Sequence, residues 1–284
     1  MANTKATQSW RAKWASTMLQ ESLKKNLVAE KICTVDRGDN FYIWNPYGNV
    51  PSTTVQAIAG TYSVTDWTST NDSLTVSDEF IYSEHIFDWE KVMQHVDIYA
   101  SRIDEMTASI AAAIDKSVLN WILTDGTGTY TTPAGGFTTS SNIPVIMANL
   151  LSKVAGYADT YKGLYCVIES TDVPGFVQSG AASGFSFADT WLNNGFMGKY
   201  MGVDIHVIPS GTFVTDTLGT KAVVASGHRL FGVKGVTTYA APRGITYEEK
   251  DVTAKTGKEI VCFGYLGVKV WTAKAALTVD ITLA

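Results

Sequence analysis

The sequence predicts an α+β fold, and three observations predict it. One long stretch, from about Trp89 to Leu123, carries apolar residues at helical spacing. A Thr- and Ser-rich stretch before it, from Asp36 to about Glu84, is broken by Gly38, Pro46, Gly48, Pro51 and Gly60 and alternates as strands do. A β-rich C-terminal region ends with Leu277, Val279 and Ile281 alternating with Thr278, Asp280 and Thr282. Between the long stretch and this region, a helix at Val145 to Tyr161 followed by a buried strand at Leu164 to Ile168 adds a mixed α/β alternation.

The elements follow in order. Trp10, Trp14, Met18, Leu19, Leu23 and Leu27 recur every three to five residues with Lys13, Lys24 and Lys25 between them, which predicts an amphipathic helix lying on an apolar surface of its own or a neighbouring subunit. A helix lying on a membrane surface would carry more basic charge than this one. Tyr62 to Val64 and Leu74 to Val76 are strand segments of the broken stretch, which contains no convincing helix and is too poor in apolar residues to form its own core.

In the long helix Ile103, Met106, Ile110, Ala113, Ile114, Val118, Trp121 and Ile122 form the apolar face. Asp88 suits its N-terminus and Asp125-Gly126 its end. About 30 residues at 1.5 Å each give a rod of roughly 45 Å, an organising spine for a chain of this size. Thr124 to Asn142 reads as a linker, Val145 to Tyr161 as a helix, and Leu164 to Ile168 as a buried strand. Residues 172–200 read as loops with a short helix. Further strands are expected at Val203–Ile208, Lys221–Ala225, Gly244–Lys250 and Glu259–Trp271.

At 284 residues the chain is long enough for one sizeable domain. Charged residues make up 17%, below the usual quarter or so, so the surface is either covered by partners or dominated by Thr and Ser. Residues 1–31 hold six basic and two acidic side chains, net +4; residues 32–115 hold three basic and thirteen acidic ones, net −10. A basic arm therefore precedes an acidic middle, a balance unlike the continuous basic stripe of a dedicated nucleic-acid binder. The arm has the charge to dock on an acidic surface of its own fold or of another copy.

Cys33, Cys166 and Cys262 are odd in number and widely spaced, which indicates neither a disulfide framework nor a zinc site and suits a reducing cytoplasm. No signal-peptide stretch or membrane-length apolar run is present, so synthesis in the host cytoplasm and no membrane partner are expected, and the sequon at Asn71 is fortuitous.

The chemistry-bearing patterns are weak. Gly184-Phe-Ser186-Phe-Ala188 has alanine where a nucleophile elbow needs its second glycine, and follows a loop. His85, His95, His206 and His228 lack metal-ligand spacing. Gly126-x-Gly128 lacks both the third glycine of a dinucleotide loop and a P-loop lysine. Asp78, Glu79, Glu84, Asp88 and Glu90 could approach a divalent cation but match no calcium loop, and read as a solvated or partner-facing acidic face. Arg37-Gly38-Asp39 is a chance tripeptide. The expectation is a protein without catalytic, cofactor-binding or metal-ligating residues.

Three stretches, in this order, carry a family resemblance: Ser101-Arg-Ile-Asp-Glu-Met to Ala-Ala-Ala-Ile-Asp115; Phe196-Met-Gly198-Lys-Tyr-Met-Gly202-Val-Asp-Ile-His-Val; and Lys258-Glu-Ile-Val-Cys-Phe-Gly-Tyr265 through Val270. With the basic helix and the strand-and-turn excursion, the chain resembles the Hong Kong 97-like capsid fold of tailed bacteriophages over nearly its whole length.

That resemblance implies an N-arm at 1–36, an E-loop at 37–88, the spine helix of the P-domain at 89–134, an A-domain at 135–228 and P-domain strands at 229–284. It implies a virion subunit whose partners are copies of itself in hexamers and pentamers, an icosahedral shell around double-stranded DNA without sequence-specific binding, and separate portal and accessory proteins. A separate scaffolding protein is expected as well, because the first helix begins close to Met1. One departure stands out: residues 32–90 contain no lysine and residues 195–284 no asparagine, so the lysine–asparagine cross-link of some members has no partners here. Rival readings are an encapsulin-type nanocompartment shell, a phage tail or adhesion protein, and an esterase acting through Ser186.

Overall fold

A computed structural model describes residues 28–38, 42–48, 69–88, 98–157, 162–182, 196–242, 244–251 and 256–284. The expected helix over residues 10–27 lies outside these residues, as do Tyr62 to Val64 and the first turns of the expected spine. Four helices are described, α1 (Ala29–Ile32), α2 (Ile98–Asp125), α3 (Asn142–Val154) and α4 (Val173–Ala182). The strands are β1 (Thr34–Asp36), β2 (Tyr42–Gly48), β3 (Ser69–Thr75), β4 (Asp78–Ile86), β5 (Gly128–Thr131), β6 (Leu164–Glu169), β7 (Phe196–Tyr200) and β8 (Val203–Ile208). After them come β9 (Thr215–Leu218), β10 (Lys221–Val224), β11 (His228–Val233), β12 (Thr237–Ala240), β13 (Ile245–Asp251), β14 (Lys258–Val270) and β15 (Thr278–Thr282).

A mixed six-stranded sheet runs in the order β5-β15-β11-β6-β8-β7, with β5–β15 and β6–β8 parallel and the other pairs antiparallel. Its middle is buried on both faces. Cys166, Ile168, Phe231 and Val233 join Ile143, Ile146, Met147 and Leu150 of α3 and Phe176 of α4 in one core. Tyr165, Val167 and Leu230, one residue out of phase, point the other way into a second core around α2. The register pairs Leu230 with Val167 and Phe231 with Cys166, so each face is apolar across the strand pair. This explains why 164–168 is a continuous apolar run with no alternation.

β14 organises the other sheet. Lys258–Leu266 pair antiparallel with β4, Lys258–Gly264 with β13, and Gly267–Val270 with β12, which in turn takes β1 in parallel. Ile260, Cys262 and Leu266 are fully buried under α2, where the Cys262 thiol lies 3.7 Å from the Met106 sulfur. Burying a Leu or Ile side chain stabilises by about 1.5–3 kcal/mol. α2 carries Met106, Ile110, Ile114, Val118, Leu119, Trp121 and Ile122 into this core. Its stripe is broad because it touches two sheets. β2 and β3 form a separate antiparallel hairpin.

The helix ends at Asp125 as expected, and Gly126 donates its N–H to the Ile122 carbonyl at 2.9 Å. A Cβ at Gly126 would lie 3.0 Å from Cγ2 of Thr278 and 3.1 Å from its carbonyl oxygen, so the approach of β15 explains this glycine. Several expectations need correction. The stretch 124–142 is no bare linker: it contains β5 and a 3-10 turn at Gly136–Thr138 that buries Phe137. α3 starts at Asn142 and ends at Val154, where Ala155 turns extended and Gly156 takes φ 91°. Phe196–Tyr200, within the stretch read as loops with a short helix, is strand β7, and β1, β9, β11 and β12 are further strands outside the expected ones; β11 and β12 lie inside sheets and lack alternation, while β9 is short and polar.

Asp115 is a charged side chain buried on α2. Its Oδ2 accepts the Val28 N–H at 2.8 Å and its Oδ1 the Ala29 N–H at 2.9 Å, satisfying the free donors at the start of α1. Val28, Ala29 and Ile32 are consequently buried against α2.

Leu119→Ala should cost about 2–5 kcal/mol of subunit stability, read as a lower denaturant midpoint, because it empties space between α2 and the sheets. Asp115→Ala strands two buried N–H groups and should cost roughly 2–4 kcal/mol, with Val28 and Ala29 losing hydrogen-exchange protection before the rest of the core.

Candidate functional site

The chemistry-bearing side chains are distributed as joints between elements. Asn120, fully buried on α2, donates to the Lys116 carbonyl at 2.7 Å and to the Thr212 carbonyl at 2.8 Å, while its Oδ1 accepts the Val214 N–H at 3.0 Å. The next residue, Trp121, donates its indole N–H to the Leu218 carbonyl at 3.1 Å, and about one turn further on Asp125 meets the Lys221 ammonium at 2.6 Å. α2 thereby fixes the β9–β10 hairpin. The turn of that hairpin is held from the other side: Asp78 accepts the Thr220 N–H at 2.8 Å and its hydroxyl at 3.1 Å.

Glu169, Asp172 and Arg229 form a buried charged cluster at the end of the six-stranded sheet. The Arg229 guanidinium bonds Asp172, lies 3.2 Å from Glu169 and donates to the His228 carbonyl at 2.7 Å. Glu169 also accepts the Gly211 N–H at 3.0 Å and the Phe213 N–H at 3.3 Å. Next to it the His228 ring Nδ1 lies 2.8 Å from Asp280, joining β11 to β15. Both oxygens of Glu169 and Oδ2 of Asp172 hold a loop or strand end, so the group is a clamp.

The sequence candidates are not brought together. Of the acidic stretch, Asp78 serves the β9–β10 turn, Glu84 pairs with Arg102 at 2.6 Å, Glu79 is exposed, and Glu90 lies outside the described residues. Arg102 also bonds Glu105, and these carboxylates outweigh partial burial to hold its guanidinium above the usual value. His85 stacks edge-on against Phe87 at 4.3 Å, His206 is buried in β8, His228 is in the clamp, and His95 lies outside the described residues. Ser186 and Asp39 also lie outside them; Arg37 reaches Glu30 at 2.7 Å.

Among the described residues no group of three His, Cys, Asp or Glu is placed to hold a metal ion, and no helix is long and apolar enough to cross a membrane. Burial, and secondarily the charges of Asp115 and Asp172, push the Cys33 and Cys166 thiols well above the ordinary range, so neither is a nucleophile at neutral pH.

Sequence reasoning missed Asp72, which ties the β2–β3 hairpin to the body. It accepts the Thr272 N–H at 2.9 Å and hydroxyl at 2.8 Å and lies 3.0 Å from the Lys269 ammonium. Burial alone would raise its pKa, but these donors outweigh burial and hold it below the usual carboxylate range. A depressed folded pKa contributes stability above the unfolded value of about 3.9, lost as pH falls through the folded value. Asp72→Asn should therefore lower the thermal midpoint at neutral pH by an amount equivalent to about 1–2 kcal/mol, and the gap from the parent should close as pH drops below about 4. A gap that persists in acid would contradict this account.

No family model and no curated protein matches the chain. Solved structures do. The chain is similar to the capsid structure of the cyanophage P-SCSP1u, at 14% identity and TM-score 0.73, covering 96% of this chain and 93% of that one. It is similar to a structure of Mycobacterium phage Che8, at 15% identity and TM-score 0.74, covering 95% and 96%. The capsid of a native GTA particle aligns at 14% identity and TM-score 0.68, covering 99% and 98%. The spine helix between two sheets, the long excursion before it and the late strands returning to it are thus the α+β, Hong Kong 97-like capsid fold, shared over nearly the whole chain.

Proposed function

We propose that the chain is a major capsid protein whose copies self-assemble into an icosahedral shell enclosing double-stranded DNA. The observation that carries this reading is the completeness of the match: 95–96% of this chain covers 93–96% of the cyanophage and mycobacteriophage chains, so the whole polypeptide has the form of a shell subunit. It acts through its surfaces and not as an enzyme. Residues 1–36 form an N-arm and 37–88 an E-loop whose stem is the β2–β3 hairpin. The P-domain takes 89–134 and 229–284 around the spine, and 135–228 make an A-domain turned toward the axes of hexamers and pentamers.

Assembly needs head-to-tail contacts that close into rings and then into a shell. They are non-covalent, because the E-loop stretch has no lysine and the late strands no asparagine to join. A net charge of −5 suits a container that holds DNA without gripping it. Scaffolding, portal and accessory capsid proteins are its further partners. The subunit is made in the host cytoplasm and ends in the virion.

Negative-stain microscopy of the purified protein should show closed shells or ring-shaped capsomers, and particles from infected cells should hold nuclease-protected double-stranded DNA. Strict monomers at high concentration would overturn the reading. Boiling particles in detergent should release a single band at the 30.7 kDa chain mass, whereas a ladder of multiples would refute non-covalent closure.

A further inference from the structure

β7 and β8 are joined by a two-residue turn, Met201-Gly202, at the edge of the six-stranded sheet. Both residues are left-handed, Met201 at φ 50° and Gly202 at φ 82°, the geometry that matches strand twist in a tight hairpin. Glycine, asparagine and aspartate adopt it readily; for other L-residues it costs about 1–2 kcal/mol. Among the described residues Met201 is the one non-glycine residue with positive φ. It is also one of the few large apolar side chains left exposed, at 49%.

The turn is rigidly mounted. Tyr200 is buried edge-on against Phe176, with ring centroids 5.9 Å apart, and its hydroxyl lies 3.2 Å from that of Ser179. Val203 is fully buried on the other side. The fold thus holds an unfavourable residue in a fixed pose and leaves much of it in water. The chemistry around it selects the kind of partner. Lys199 and Asp204 flank the turn with opposite charges 3.5 Å apart, and Asp204 also bonds Lys234. A nucleic acid or an anionic membrane calls for a basic field. A polarisable apolar tip inside a rim of both signs suits a protein surface, where methionine is enriched.

We propose that Met201 is a preorganised apolar anchor by which one copy of the chain holds a second copy. This rests on the reading of the chain as a self-assembling subunit. Because the backbone of the turn is already fixed, only the methionine's own rotamers are ordered on contact, which keeps the cost of binding small.

The experiment compares Met201→Asn and Met201→Leu with the parent, measuring the thermal midpoint of the unassembled subunit and the threshold concentration for assembly by light scattering. Asparagine tolerates the left-handed turn but removes the apolar tip. The subunit midpoint should stay within about 3 °C of the parent, while the assembly threshold rises about tenfold or more. Leucine keeps the apolar tip and should keep the threshold within about threefold. Assembly of the Asn variant at the parental threshold would overturn the proposal. So would a failure of the Leu variant matching that of Asn, or a fall in subunit midpoint large enough to account for the lost assembly. A parent chain that forms no shells or capsomers would instead refute the capsid reading itself, an outcome distinguishable from these.

Discussion

Everything in this molecule is arranged around the apolar contact between α2 and the two sheets. A helix of 28 residues that touched only one sheet would need one narrow stripe; this one buries Met106, Ile110, Ile114, Val118, Leu119, Trp121 and Ile122 against Cys262, Leu266, Tyr165, Val167 and Leu230. The helix is therefore shared ground between two layers that otherwise have separate cores. Three of its polar side chains hold other segments in place. Asp115 receives the start of the described chain, Asn120 the segment before β9, and Arg102 the end of β4. Loss of the helix would leave both sheets with one apolar face in water.

Hydrogen-bonded charged clamps hold segments more specifically than apolar contact alone, because they fix direction as well as proximity. Glu169, Asp172 and Arg229 hold a strand end, a turn and a loop in one orientation. Asp72 does the same for the β2–β3 hairpin. Breaking one partner of the buried cluster leaves an uncompensated charge, so the arrangement is all-or-none.

Much of the architecture was legible in the residues. β6, β8 and β10 read as short apolar runs, while the spine, its stop at Asp125 and strands β13, β14 and β15 follow from periodicity, because burial on a known side imposes a period on the sequence. β11 and β12 escaped detection for the opposite reason: His228–Val233 and Thr237–Ala240 are buried almost throughout, so no alternation is imposed. β5 was hidden because a four-residue Gly-Thr-Tyr-Thr strand is recognisable only from its partner β15, some 150 residues later. The joints were the least legible. Asp72, Asp115 and Asn120 act on segments far away in sequence, and nothing local to them announces a distant N–H. Asp72 was visible only as part of a fortuitous sequon.

The place of β15 bears on how the sheet forms. It lies inside the six-stranded sheet, between β5 and β11, yet among the described residues it is the last strand in chain order. A nascent polypeptide released by the ribosome only as far as residue 277 has β5 and β11 but nothing to join them, and the apolar contributions of Val279 and Ile281 are missing from the core beneath α3. The six-stranded sheet is thus complete only once residues 278–282 have emerged, whatever has folded before them.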